Sequence, residues 1–293
     1  MTSTRPVGAL RGAIAFVAAL VLVLAPASAH AAATITIVNL DGAGVGLNDM
    51  TAIAPAGGNP GTTIGAQRLN AMQYAANLWG AVVDSTVEIR VGASFTPLTC
   101  SSTSAILGQA GTNNIFRDFA GAPVASTWYP GALANSLAGT DLAPGSDDIN
   151  ATFNSSIGTT CAFPSTFYYG FDASPPGGKL DFVSIILHEL AHGLGFSSFV
   201  TLSTGAKAGG YDDVYMRWLT DATTGAQYPN MTNAQRVSAS IDTGNLQWTG
   251  PLLSAASGGL TSGVGPSGRV HLYAPNPVAF SRRHCCRHFR RKH

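Results

Sequence analysis

The chain has 293 residues, of which 45% are hydrophobic and 11% charged, so it is long enough for one large domain or two small ones with a substantial buried core. Its formal net charge of +1 is unevenly distributed, because residues 32–281 carry 8 basic and 15 acidic side chains, a net charge of −7. An acidic body of this kind argues against nucleic acid as a partner.

Residues 1–31 are predicted to be a secretory signal peptide. Arg5 and Arg11 precede an apolar run at residues 13–24, and small residues at positions 29 and 31 suit a cleavage site. A membrane anchor is the alternative, but the run is shorter than the roughly 20 residues that a membrane-spanning helix needs. No later segment is apolar enough to span, so we expect an exported chain, secreted or periplasmic, that starts near Ala32.

The next part of the chain predicts two strands and a long helix. Residues 34–40 and 86–91 alternate β-branched or apolar side chains with polar ones, as half-buried strands do. Between them, apolar residues recur at helical spacing over residues 62–79, after a threonine suited to cap the helix.

Residues 97–164 are rich in Ser, Gly, Ala and Asn and show no strong period, which predicts irregular structure with one short helix at residues 132–137. An aromatic strand is predicted at residues 167–171. In an exported protein, Cys100 and Cys161 are predicted to form a disulfide, the alternative being two buried thiols.

Asp181 is predicted to open a helix that reaches Leu194. Apolar residues point in nearly every direction around this helix, which is typical of a buried one. The polar exceptions Ser184, His188 and His192 are spaced four apart and share one stripe. A buried polar stripe needs partners. A metal ion in a cleft would supply them, and a core helix whose histidines bind other protein groups is the alternative.

The stretch HELAHGLGFSS at residues 188–198 contains the candidate metal-binding and catalytic residues. Imidazoles one helical turn apart can both bind one Zn²⁺ at about 2.0–2.1 Å. Glu189 would lie beside the open coordination position, where it can act as general base on a zinc-bound water that attacks a peptide carbonyl. A glycine at position 193 or 195 can turn the backbone away beneath the metal. The predicted cofactor is therefore zinc, with His188 and His192 as ligands and a protein or peptide as substrate.

The third ligand is not fixed by the sequence. A catalytic zinc site has three protein ligands, and no glutamate follows Glu189. The remaining candidates are aspartates, for which loop or cap roles are the alternative, and distant histidines: Asp212, Asp213, Asp221, His271, His284, His288 and His293. Tyr211 and Tyr215 are candidates to stabilise an oxyanion, or are simply packed tyrosines.

The motif resembles two groups of zinc peptidases. HELAHGLGF is similar to the start of the metzincin pattern HExxHxxGxxH, in which Ser198 takes the place of the last histidine. HELAHGLGFSS resembles the leishmanolysin type, whose third histidine is remote. Segments such as ITIVNLDG, WYPGALANSLAG and LYAPNPV are similar to a group of exported bacterial predicted peptidases over residues 34–278. The resemblance implies an α+β, zincin-like (metzincin-like) catalytic domain at residues 32–278, with a twisted sheet, a backing helix and an active-site helix.

The last residues, 279–293, depart from that group. There the segment after NPV resembles PGSSVSHWD, whose histidine would be the third ligand, whereas this chain ends AFSRRHCCRHFRRKH. We hypothesise that a frameshift near Ala279 replaced the ligand segment with an aberrant basic tail, and the other two reading frames of the gene test this. A genuine basic tail is the alternative.

Together these features predict a secreted zinc-dependent endopeptidase. Two other functions stay open. One is an inactive homologue without a complete set of zinc ligands. The other is a non-enzymatic secreted binding or surface protein, which the Gly-, Ser-, Thr- and Asn-rich composition favours.

Overall fold

The computed structural model describes residues 32–260, 262–265, 267–274 and 276. The predicted signal peptide, the basic tail and its hypothesised frameshift lie outside these residues. The fold is mixed α+β. Its helices are α1 (Ile64–Gly80), α2 (Gly131–Ala138), α3 (Phe182–Leu194), α4 (Asn233–Ala239) and α5 (Pro251–Ala256).

The strands are short apart from two in the main sheet. In chain order they are β1 (Ile35–Asn39), β2 (Ile89–Thr96), β3 (Gly108–Thr112), β4 (Ile115–Phe116), β5 (Thr127–Pro130), β6 (Ile149–Asn154), β7 (Thr166–Tyr168), β8 (Lys179–Asp181), β9 (Asp212–Asp213), β10 (Leu219–Asp221), β11 (Leu246–Trp248) and β12 (Val270–His271). Within the described ranges, no helix combines the length and apolar character needed to cross a bilayer.

The main sheet has the strand order β1-β2-β6-β3. β1, β2 and β6 are parallel, and β3 runs antiparallel to β6 at the end of the sheet. The register aligns Val91 with Ile149 and Phe95 with Phe153. Because side chains alternate along a strand, these apolar residues share one face, and they are buried in the main core.

Helices α1 and α3 pack against this face and against each other, α1 along β1 and α3 along β6 and β3. The indole Nε1 of Trp79 in α1 donates a hydrogen bond to the Leu187 carbonyl of α3 at 2.9 Å. A Cβ atom at Gly193 would lie 2.4 Å from Cγ2 of Ile149, so the absence of a side chain lets α3 approach β6 closely. The sequence motif therefore lies on a helix held on two sides.

The three predicted helices are confirmed to within two residues. The backing helix α1 begins at Ile64, and the side chain of Thr63 caps it by accepting a hydrogen bond from the Ala66 N–H at 3.2 Å. The first strand is also confirmed, whereas β2 begins three residues later than predicted and extends to Thr96. The aromatic strand at residues 167–171 is shorter than predicted, since β7 ends at Tyr168.

The expectation of irregular structure over residues 97–164 is wrong for part of that region. It contains β3 and β6, and β6 lies between two other strands of the main sheet. Its buried residues Ile149, Ala151 and Phe153 alternate with Asn and Thr. The predicted disulfide is confirmed, since Cys100 and Cys161 are bonded with their Cα atoms 5.9 Å apart.

The chain after α3 builds a second, smaller core. Val200, Met216, Leu219, Tyr228 and Met231 belong to it. A three-stranded sheet with the order β10-β11-β12 covers part of this core. The segment that joins the two cores directly follows the histidine motif.

Candidate metal centre

The two motif histidines converge on one point beside α3. Their Nε2 atoms lie 2.9 Å apart, and the two rings are close to perpendicular, with centroids 4.5 Å apart. His188 and His192 are both half-buried. The helical spacing of four residues explains the arrangement, because it places both side chains over the same strip of the helix surface.

Glu189 lies beside this pair and is 7% exposed. Ligand atoms of His188, Glu189 and His192 all lie within 4.8 Å of one another. In the described part of the chain, no other group of three or more histidine, cysteine or acidic side chains is close enough together to hold a metal ion. A Cβ atom at Gly108 would lie 3.3 Å from Cγ of Glu189. Strand β3 therefore passes directly beside the carboxylate.

The ring of His192 is oriented by the backbone. Its Nδ1 lies 2.8 Å from the carbonyl oxygen of Phe196. A carbonyl oxygen can only accept, so Nδ1 carries the hydrogen, and in the neutral ring Nε2 is left with its lone pair. An imidazole held in this way at one nitrogen is suited to bind a metal ion through the other.

Gly195 makes this contact possible. It ends α3 with φ 120°, a conformation that side chains rarely adopt, and the chain turns back there toward His192. A Cβ atom at this position would also lie 2.8 Å from Cγ of Pro130. The predicted role of a glycine in turning the backbone beneath the site agrees with this geometry at Gly195, whereas Gly193 serves helix packing.

The pair fits a divalent ion with a small adjustment. Two nitrogens bound to one tetrahedral zinc at its usual distances lie about 3.3 Å apart, compared with the observed 2.9 Å. Without an ion, the Nε2–H of His188 can donate to the Nε2 lone pair of His192. Binding an ion requires that the His188 hydrogen move from Nε2 to Nδ1, so that the neutral ring offers the Nε2 lone pair. It also requires the two Nε2 atoms to separate by a few tenths of an ångström, which side-chain rotation can provide.

Ser198, at the place of the last metzincin histidine, has a different partner. Its hydroxyl donates a hydrogen bond to Oδ2 of Asp213 at 2.8 Å. Asp213 also accepts from the N–H groups of Phe199 and Met216. Burial raises the pKa of Asp213, and these hydrogen bonds oppose the increase. Asp213 thus has the loop role that was an alternative to metal binding.

The other described candidates for the third ligand also have structural partners. Asp212 Oδ1 lies 2.7 Å from Nζ of Lys207, and Asp221 accepts from the Thr223 N–H at 2.9 Å within a turn. His271 lies in β12 and pairs with β11. None of them joins the cluster at the motif. The remaining histidine candidates lie outside the described residues: His284, His288 and His293.

The two candidate tyrosines have packing contacts. The Tyr215 ring lies 5.0 Å from the rings of Phe196 and Trp248. The guanidinium carbon of Arg117 lies 4.0 Å from the centre of the Tyr211 ring. The cluster of Phe196, Tyr215 and Trp248 beside the histidines was not predicted, because its members are far apart in sequence and no local spacing connects them.

No family model, curated protein or solved structure compared with the chain matches it. The zincin resemblance therefore stays a prediction. What the structure contributes is the local geometry of the site: two convergent imidazoles, one oriented by a carbonyl group, next to a buried carboxylate.

Proposed function

We propose that the protein is a secreted zinc-dependent endopeptidase whose described residues form a zincin-like catalytic domain. The observation that carries the proposal is the convergence of His188 Nε2 and His192 Nε2 beside the buried Glu189. Imidazole nitrogen binds zinc and several other first-row metals. The predicted export, together with the buried carboxylate at the site, favours zinc hydrolase chemistry. When bound, zinc would polarise the peptide carbonyl and lower the pKa of water.

Each residue of the motif has a distinct part in this proposal. His188 and His192 would hold the ion, with the Phe196 carbonyl fixing the ring of His192. Glu189 would take a proton from the attacking water and pass it to the leaving amine. Because Glu189 is buried and β3 passes directly beside it, few positions are open to its carboxylate.

The third protein ligand decides between this function and a second candidate, an inactive homologue. In the described ranges the cluster offers two histidines and the carboxylate that the reaction needs as a base. A third ligand from the tail, through His284 or His288, would complete an active site. A site that lacks it would bind zinc less tightly and hydrolyse nothing.

Metal analysis combined with a protease assay separates these functions. We expect the full chain, dialysed against metal-free buffer, to retain about one zinc per molecule, since structural and catalytic sites of this type bind tightly. Cleavage of casein should stop with 1,10-phenanthroline and return with added zinc. Bound zinc without cleavage supports the inactive homologue. The absence of bound zinc, also after zinc is added back to the dialysed chain, would overturn both and favour a binding protein.

Strand β3 offers a place for the peptide substrate. The backbone hydrogen bonds at the two ends of β3 show which of its residues face β6. The carbonyl of Leu107, just before β3, accepts from the Asn154 N–H, and the N–H of Asn113, just after it, donates to the Asp148 carbonyl. In this antiparallel register, the odd-numbered residues of β3 therefore exchange hydrogen bonds with β6. In an antiparallel pair the alternate residues face away, which directs the N–H of Ala110 to the outer edge. An extended peptide could add to this edge as a further strand, and Gly108 would place it next to Glu189.

Ala110→Pro tests this binding mode. Proline removes the outward N–H while the bonds to β6, made by the neighbouring residues, remain. Loss of one backbone hydrogen bond to the substrate should raise KM about 2- to 10-fold with kcat little changed. Ala110→Gly, which keeps the N–H, is the control in steady-state assays on a fluorogenic peptide. An equal KM for the two variants would contradict the proposed edge.

A further inference from the structure

Asp213 is a buried carboxylate at the junction between the two cores, and it is 2% exposed. Its Oδ2 accepts from the hydroxyl of Ser198 and from the N–H of Phe199, both at 2.8 Å. Its Oδ1 accepts from the N–H of Met216 at 2.7 Å. All three partner groups are donors, so both side-chain oxygens of Asp213 must act as hydrogen-bond acceptors.

The segment that these bonds hold has little regular structure of its own. Residues 196–200 belong to no helix or strand. Phe196 N–H still bonds to the Ala191 carbonyl at the end of α3. Beyond it, Phe199 N–H bonds to Asp213, and Val200 N–H bonds to the Ser198 hydroxyl, which Asp213 itself orients. Asp213 is therefore the anchor of the chain just after the metal-binding helix.

Asp213 also influences Phe196 through a second set of contacts, by way of Met216 and Tyr215. By binding the Met216 N–H, Asp213 fixes the start of the 3₁₀ turn that follows Tyr215. The ring of Tyr215 packs edge-on against the ring of Phe196, with centroids 5.0 Å apart. Phe196 is thus held from both sides, through its own chain and through an aromatic contact.

We infer that Asp213 is a positioning residue for the metal centre: it fixes Phe196, whose carbonyl oxygen sets the orientation of the His192 ring. The inference rests on the proposed function, since it assigns a role toward a metal ion that His192 would bind. Groups that orient a metal-binding histidine typically change metal affinity 10- to 100-fold when they are lost. Asp213 acts one step further away, through the carbonyl that accepts from His192 Nδ1.

Asp213→Asn in the full chain tests the inference. Asparagine has nearly the same size but only one acceptor atom, so its amide group faces at least one of the three donors. We expect the zinc dissociation constant, measured by competition with a chromophoric chelator, to rise about 10-fold or more. The visible absorption of bound Co²⁺ should also change, because the His192 ring is less well oriented. Ser198→Ala, which removes one of the three bonds, should raise the constant about 2- to 10-fold.

Asp221→Asn is the matched control. Asp221 is 5% exposed and also accepts from a backbone N–H and a hydroxyl, those of Thr223 and Thr224, but within its own turn. Its substitution should leave the zinc dissociation constant within about twofold of the wild type.

The outcomes distinguish this inference from the proposed function. A wild-type chain that binds no zinc overturns the proposed function. A wild type that binds zinc, with a folded Asp213→Asn variant within twofold of it, overturns the positioning role alone. So does an equal loss of affinity in Asp221→Asn. If Asp213→Asn does not fold, Ser198→Ala decides: unchanged affinity and an unchanged Co²⁺ spectrum reject the role.

Discussion

Glu189→Gln is expected to lower kcat for peptide hydrolysis by about 10²- to 10⁴-fold, the usual contribution of a general base. Glutamine has the same shape and fits the same buried space between α3 and Gly108, but it cannot take a proton from water at neutral pH. Zinc content should be unchanged, because His188 and His192 remain. The measurement is kcat on a fluorogenic peptide with zinc content determined on the same sample.

Glu88→Gln provides the control for this prediction. Glu88 is the only other glutamate in the chain, it is exposed, and its carboxylate accepts from the hydroxyl of Thr36. We expect its substitution to leave kcat unchanged. If Glu189→Gln kept more than a tenth of the wild-type kcat, Glu189 would not be the base.

Replacing both Cys100 and Cys161 with alanine is expected to lower the free energy of unfolding by about 4 kcal/mol at 25 °C, on the loop-entropy model of disulfide stabilisation. The bridge joins residues 61 apart in sequence, and the loop between them contains β3, β6 and α2. Without the bridge, this segment is no longer held as a closed loop in the unfolded chain. The entropy of the unfolded state therefore rises. Urea titration with linear extrapolation measures the difference.

A reducing agent supplies the control for the disulfide prediction. Wild-type protein treated with dithiothreitol should lose about as much stability as the double variant, whereas the double variant itself should not respond. A loss below about 1 kcal/mol in the variant would show that loop closure contributes little, as it would if the unfolded chain already kept the two ends close together.

The sequence predicted the elements with long, regular patterns. α1 and α3 were located closely because their apolar residues repeat at helical spacing, and a local spacing is preserved whatever the helix packs against. β6 was missed because its polar residues are buried through contacts with distant parts of the chain. Its Asn154 is fully buried, and its side chain bonds to the carbonyls of Leu98 and Ile106 and to the Leu98 N–H. Such a residue looks like a surface position until its partners in the fold are known.

The part of the candidate site that lies on one helix was predicted, and the part built by tertiary contacts was not. His188, Glu189 and His192 could be identified because one helix presents all three. The carbonyl of Phe196, the carboxylate of Asp213 and the close approach of Gly108 come from segments that meet only through tertiary contacts. The third ligand belongs to this second group. The described aspartates and His271 have structural partners of their own, and the histidines of the tail lie outside the described residues.

The packing at Gly108 limits how this chain can vary. A Cβ atom there would lie 2.7 Å from Cδ1 of Phe153 and 3.3 Å from Cγ of Glu189. Strand β3 can thus approach the Glu189 carboxylate this closely only because residue 108 is a glycine. A larger residue at position 108 would need the space that the Phe153 ring occupies and would also press on Glu189. A substitution there is therefore expected to require a smaller residue at position 153.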